Sequence, residues 1–277
     1  MTSIADAVAG TLASVNSNIR QPKDRYTGAD GLLHCSKCHK PIECIIRIFG
    51  ETQTVRCVCD CIKAELDAEE ERKRLEDIER LRRICFRGSA LSECTFAADD
   101  RRDPRTSMVA ERYAAQFDDF RRDGKGLLLC GKSGSGKTYA ASCIANYLVE
   151  RGYRVLVTTF IEIANELQGM HDGRQTYIDS FRAYDLLVLD DLGAERGTEY
   201  MQEQVFSVIN SRCCERLPFI VTTNISIAEF SKPDSNAKKR IYERILERCF
   251  PLDVNAVERR KDNLRRDFPD MAAKLGL

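Results

Sequence analysis

The chain has 277 residues, enough to bury a core as one large domain or two modest ones. Hydrophobic residues make up 43% and charged residues 31%, a globular composition, and 43 basic residues balance 43 acidic ones to a formal net charge of +0. That balance excludes a global basic field for nucleic acid, so any such binding must come from local patches; no apolar run approaches the ~20 residues of a membrane span.

Met1 to Gly10 lacks the basic and long apolar regions of a secretory signal, so the chain is expected in the cytoplasm, with no membrane partner. Residues 1–31 are small, polar and weakly periodic, and read as a mobile N-terminus. Residues 32–61 hold six of the thirteen cysteines. In a reducing compartment these are not a disulfide framework. The other seven, Cys85, Cys94, Cys130, Cys143, Cys213, Cys214 and Cys249, are scattered and suit small buried apolar positions. Within the cluster, Glu43–Phe49 and Thr52–Val58 are rich in Ile and Val around Gly50-Glu51, the pattern of a β-hairpin. Residues 62–87 read as a connecting helix. Ile62–Cys85 has no Gly or Pro, intermixes acids and bases, and carries a narrow apolar stripe, Leu75, Ile78, Leu81 and Ile84. Such a helix is either solvated or a partner-binding face.

Residues 88–277 form the last domain. Leu91–Asp103 is irregular and Pro104 punctuates it; Ser107–Arg121 has helical spacing in Tyr113, Phe117 and Phe120. From Gly126 strands and helices alternate. Strands are expected at Leu127–Cys130, Arg154–Thr159, Asp185–Leu189 and Phe219–Thr223. Helices are expected at Tyr139–Arg151, Ile161–Gln168 and Tyr200–Cys214. Short apolar strands separated by helices predict an α/β fold with a parallel sheet covered on both faces. After Ser226 the pattern is mainly helical.

Gly131-Lys132-Ser133-Gly134-Ser135-Gly136-Lys137-Thr138 fits G-x4-G-K-[ST], between a predicted strand and a predicted helix. Glycines let backbone N–H groups turn inward around phosphates, and the helix N-terminus adds positive potential. The pattern points to ATP with Mg²⁺. Lys137 reaches the β- and γ-phosphates and the Thr138 hydroxyl ligates the metal. Gly131, Ser133, Gly134, Ser135, Gly136 and Tyr139 complete the nucleotide-contacting set. Downstream, the apolar run Leu186–Leu189 leads into Asp190-Asp191. A parallel sheet places such a strand end beside its ligand, so Asp190 suits a Mg²⁺-coordinating carboxylate and Asp191 a group polarising the attacking water. The next strand ends in Asn224, placed to contact the γ-phosphate or the water, or to serve a turn.

Cys35-x2-Cys38 and Cys57-x-Cys59-x-Cys61 offer five thiolates near the hairpin, and Zn²⁺ takes four in a tetrahedron. Cys35 and Cys38 form one pair; the second comes from Cys57, Cys59 and Cys61. His34, His39 and Cys44 are further donors. Free thiols are an alternative; a redox C-x-x-C would need a thioredoxin-like βαβ unit, which the pattern lacks. Zinc in so small a module would be structural. Between Lys232 and Arg266, eleven Lys/Arg face six Asp/Glu, a local basic excess that suits either a phosphate-tracking surface or a solvated helix. Phe160, Phe181 and Tyr184 are candidate stacking platforms for single-stranded DNA, or core residues.

Gly131–Thr138, the string LLVLDDLG at Leu186–Gly193 and FIVTTN at Phe219–Asn224 resemble the AAA+ ATPases of the DnaC/DnaI helicase-loader type and the similar IstB transposition helpers. The resemblance spans roughly Cys94–Arg266. The cysteine segment resembles the C-x-x-C … C-x-C-helix stretch that precedes the ATPase in many loaders. That pattern favours Cys59 and Cys61 as the second zinc pair and leaves Cys57 as the spare. By this resemblance Lys137 and Thr138 belong to Walker A, Asp190 to Walker B, and Asp191 fills the catalytic-acid position, where wider AAA+ enzymes usually carry Glu. Asn224 corresponds to sensor 1. Lys239–Arg248 looks like the helix carrying an arginine finger, with Arg244 first and Arg248 second, and Arg259 or Arg260 would be sensor 2. A finger acting in trans implies self-association.

The expected protein is thus a zinc-bearing N-terminal module, a connecting helix and an AAA+ P-loop NTPase core. Its expected work is ATP-dependent loading of the replicative DNA helicase, with single-stranded DNA as a second partner. The alternatives are an IstB-like ATPase assisting a transposase, and a zinc-stabilised nucleic-acid-binding protein with an ATP switch.

Overall fold

The computed structural model describes residues 14, 16–48, 50–193, 199–255, 271, 274 and 275. The chain divides into two compact units, Met1–Glu76 and Asp77–Leu277.

In the first unit β1 (Arg25–Thr27) pairs antiparallel with β2 (Leu33–Cys35), and β3 (Glu43–Ile48) with β4 (Glu51–Arg56). The second pair is the expected hairpin. The first was not expected: β1 lies inside the stretch read as mobile, of which residues 1–13 and 15 fall outside the described residues. The buried core among the described residues is small, comprising Cys35, Ile42, Cys59 and Ile62. Two of those four are cysteines, so apolar burial alone supplies little here.

Helix α1 (Asp60–Phe86) starts on the last cysteines and runs 27 residues. Its apolar stripe is not the one expected. Leu75 and Ile84 are exposed at 50% and 43%, whereas Ile78, Cys85 and Phe86 are buried in the core of the second unit, with Leu81 packed against it. The i, i+3, i+7 spacing of Ile78, Leu81 and Cys85 makes a buried seam once cysteine counts as apolar. The last part of the connecting helix is therefore part of the second unit.

That unit is built on a five-stranded parallel sheet in the order β6-β7-β8-β5-β9. The strands are β5 (Gly126–Cys130), β6 (Val155–Thr159), β7 (Leu186–Leu192), β8 (Phe219–Thr223) and β9 (Cys249–Asp253). Alternate residues serve opposite faces, as a pleated strand requires. Leu127, Leu129, Val155, Val157, Leu186, Val188 and Ile220 join the core on one side, with α2 (Pro104–Ala115) and α4 (Lys137–Val149). Leu128, Leu156, Leu187, Leu189, Phe219 and Val221 join the other, with α5 (Phe160–Gly169), α7 (Glu199–Cys214) and α9 (Asn236–Arg248). The shorter α-helices are α3 (Phe117–Asp123), α6 (Arg174–Ser180) and α8 (Ile227–Phe230).

This is the expected α/β architecture, with one difference. The segment after Ser226 holds β9 as well as helices; Pro251 reads against a strand, and β9 tolerates it by lying at the sheet edge. Phe160 and Phe181 are each 2% exposed, so both are core residues and neither is a stacking platform.

One buried charge organises the strand beginnings. Arg212, on α7, is fully buried. Its guanidinium donates to the carbonyls of Phe181 and Tyr184 at 3.0 and 2.8 Å, and to that of Pro218. These carbonyls lie just ahead of β7 and β8, whose far ends form the site below.

Candidate functional site

The loop after β5 turns at glycines for a steric reason. Gly131 has φ 153°, and a Cβ there would sit 2.3 Å from the Val254 carbonyl oxygen. Gly136 caps α4 at φ 98° without a side-chain hydrogen bond, which leaves the first N–H groups of that helix facing the loop. Ser133, Gly134, Gly136, Lys137, Thr138, Tyr139, Asp191 and Asn224 line a cleft of about 210 Å³ at the carboxyl ends of β5, β7 and β8. Ser135 lies behind it, 2% exposed, its hydroxyl buried without a hydrogen-bond partner among the described residues.

Hydrogen bonds join the three strand ends into one array. Lys137 Nζ donates to the carbonyls of Gly131 and Lys132 at 2.8 and 2.9 Å, and to Asn224 Oδ1 at 2.9 Å. Thr138 Oγ1 donates to Asp190 Oδ1 at 2.9 Å, and Thr222 Oγ1 donates to the same oxygen at 2.5 Å. Burial raises the Asp190 pKa, and the donated bonds from Thr222 and Thr138 oppose that rise. Asp190 is 9% exposed, whereas Asp191 is exposed. Two adjacent carboxylates thus have opposite surroundings. Tyr139 Oη donates to the Thr95 carbonyl at 3.1 Å, tying the irregular segment before α2 to the first turn of α4.

The structure brings together Gly131, Ser133, Gly134, Ser135, Gly136, Lys137, Thr138, Tyr139, Asp190, Asp191 and Asn224. It does not bring Arg244 to this cleft; that residue is half-buried on α9, paired with Glu247 at 3.0 Å. Arg248 is tucked in, donating to the Cys213 carbonyl at 3.2 Å. Arg259 and Arg260 lie outside the described residues. Thr222 was missed by sequence reasoning, because a threonine inside an apolar strand reads as a β-former. The available signal was its place in the strand beside the acid pair.

In the first unit the four sulfurs of Cys35, Cys38, Cys59 and Cys61 all lie within 4.8 Å of one another. Sulfurs about 2.3 Å from a tetrahedral zinc are roughly 3.8 Å apart, so this donor set fits that ion. The Cys35 N–H donates to the Lys40 carbonyl and the His39 N–H to the Cys35 carbonyl, each at 2.9 Å, folding the first pair into a tight turn. The Lys40 backbone N–H pulls the Cys38 thiol down to about 6. Its hydrogen bond to Cys38 pushes Cys61 up to about 11, and burial raises Cys59. Cys57 stands apart, its Sγ donating to the Pro41 carbonyl at 3.6 Å. His34 engages Asp30 and the His39 carbonyl, and His39 engages Tyr26, so neither imidazole belongs to the cluster.

The IstB-like ATP binding protein family matches residues 55–266. The replicative helicase loader DnaI of Bacillus subtilis is 31% identical over 149 residues, covering 50% of this chain and 48% of that protein. A putative insertion sequence ATP-binding protein of Sinorhizobium fredii is 28% identical over 165 residues, covering 57% of this chain and 54% of that protein. A crystal structure of DnaI superposes with a TM-score of 0.51 at 27% identity, over 61% of this chain and 92% of that one. The chain spans about half the length of the curated relatives it matches. With a strand–loop–helix phosphate motif at the carboxyl edge of a parallel sheet and a family match over most of its length, this chain belongs to the IstB-like ATP-binding family of P-loop ATPases.

Proposed function

We propose that this protein is an ATP-dependent loader of the replicative DNA helicase, acting in the cytoplasm as an oligomer on single-stranded DNA. The observation that carries the reading is the bonded array of Lys137–Asn224 and Thr138–Asp190–Thr222, set beside 31% identity to a replicative helicase loader. The N–H groups of Gly131–Thr138 and the Lys137 ammonium take the phosphates. Thr138 and Asp190 hold Mg²⁺, which when bound neutralises charge on the phosphates. Asp191 polarises the attacking water and Asn224 orients it. Arg244 supplies charge to a neighbouring protomer's γ-phosphate, and Arg259 contacts the nucleotide as sensor 2.

Cys35, Cys38, Cys59 and Cys61 hold a structural zinc in the first unit, and that unit grips the helicase. A small core with two cysteines among its four buried residues supports the metal assignment. No helix among the described residues is long and apolar enough to cross a membrane.

A second reading, an ATPase that assists a transposase, draws on the insertion sequence relative. Light scattering on size-exclusion mixtures with the host's replicative helicase separates the two. The loader reading expects an ATP-sensitive complex that is lost when residues 1–76 are removed. Absence of any complex under every nucleotide condition would reject it and make a transposase the next partner to test.

A further inference from the structure

Strands β7 and β8 run in step as far as Leu189 opposite Val221, and pairing resumes at Leu192 opposite Thr223. Between these points two residues of β7, Asp190 and Asp191, face one residue of β8, Thr222. This is a β-bulge, a device that re-aims side chains beside active sites. Asp191 takes up the slack with φ 57°, in the left-handed region. A non-glycine residue there is strained and stays only where its surroundings over-determine it. Asp is among the residues that bear it best.

Thr222 provides that constraint. It is fully buried, and its hydroxyl is used in both directions. Oγ1 donates to Asp190 Oδ1 at 2.5 Å and accepts the Asp191 N–H at 3.0 Å. A hydroxyl has one proton and two lone pairs, so bonding both acids fixes its rotor. The bond to the Asp191 amide replaces the ladder bond that the bulge removes. The bond to Asp190 turns that carboxylate inward, where Thr138 also reaches it. Thr223 secures the far side of the bulge, donating to the Leu192 carbonyl at 2.7 Å.

We propose that Thr222 is a positioning residue for hydrolysis, holding Asp190 against Thr138 while its hold on the Asp191 amide keeps that side chain turned into the cleft. The inference rests on the roles proposed above for Asp190 and Asp191. Valine at this position would fill the same space but leave the Asp191 N–H without the Thr222 acceptor and Asp190 with the Thr138 hydroxyl in place of two hydroxyl donors.

The test compares Thr222→Val and Thr222→Ser in the full chain by steady-state ATP turnover, titration with a fluorescent non-hydrolysable ATP analogue, and amide hydrogen exchange at Asp191. Misplacement of a catalytic group by about 1 Å costs roughly 100-fold. Thr222→Val should lose about 10- to 100-fold in kcat, bind the analogue within about threefold of wild type and exchange the Asp191 amide faster. Thr222→Ser, which keeps the hydroxyl, should restore both turnover and slow exchange. If Thr222→Val does not fold, Thr222→Ala takes its place under the same readouts. Wild-type turnover and exchange in Thr222→Val, or equal losses in Thr222→Ser, would overturn the inference. Asp191→Asn serves as the parallel control. If it abolishes turnover while Thr222→Val does not, only the Thr222 inference falls. If it leaves turnover intact, the assignment of the acid pair falls and the inference falls with it.

Discussion

Replacing Arg212 by methionine should destabilise the second unit by about 3 kcal/mol and cost the site its alignment. Methionine keeps much of the apolar stem and removes every donor. The change takes the guanidinium donors from the carbonyls of Tyr184 and Pro218, removes a longer contact at 3.5 Å to that of Asp185, and leaves the Phe181 carbonyl with the Tyr184 N–H alone. An unsatisfied buried carbonyl costs ~1–3 kcal/mol. Part of that is returned, because the guanidinium is itself expensive to bury: desolvation drives its pKa down to about 10. For a unit of about 200 residues, spanning Asp77–Leu277, ~3 kcal/mol lowers the melting temperature by roughly 6–12 °C. Arg212→Lys should fall between, since one ammonium cannot span carbonyls ahead of two strands as a planar fork does. Urea denaturation followed by circular dichroism, with thermal melts alongside, reads both variants. An Arg212→Met melt within about 2 °C of wild type, or Arg212→Lys matching wild type, would show that the guanidinium merely fills space.

The purified protein should carry one zinc per chain by elemental analysis; Cys38→Ser and Cys59→Ser should lose it and Cys57→Ser should keep it. Because Cys61 is pushed up to about 11 and Cys59 is also raised, zinc uptake at neutral pH should release at least about two protons per ion. Calorimetry in buffers of different ionisation enthalpy would read that number, and an affinity unchanged by acidification would contradict thiolate ligation. Gly131→Ala should weaken nucleotide binding at least ~10-fold, since its Cβ would press on the Val254 carbonyl in a backbone conformation that favours glycine. Titration with a fluorescent ATP analogue checks it.

The phosphate loop was legible because its physics is local. Glycines, a lysine and a helix start are contiguous, and the strand before them is wholly apolar. The acid pair was legible for the same reason; of the four cysteines that meet, spacing offered Cys35 and Cys38, and the family resemblance favoured Cys59 and Cys61 over Cys57. What escaped depends on pairing between distant segments. The bulge exists only in the register of β7 against β8, which no single strand displays. Thr222 and Arg212 matter through partners on other elements, and a lone polar residue in a strand or helix reads as a β-former or a solvated charge. Strand β9 was hidden by Pro251, and β1 by having three residues. The buried seam of α1 was obscured because cysteine takes an apolar place at Cys85.

The most direct measurement compares Mg²⁺-dependent ATP binding and turnover in wild type, Lys137→Ala and Asp191→Asn. Lys137→Ala should lose at least ~10-fold in nucleotide affinity, while Asp191→Asn should bind as wild type does and lose turnover. Wild-type binding and turnover in both variants would contradict the assignment of this cleft as the ATPase centre.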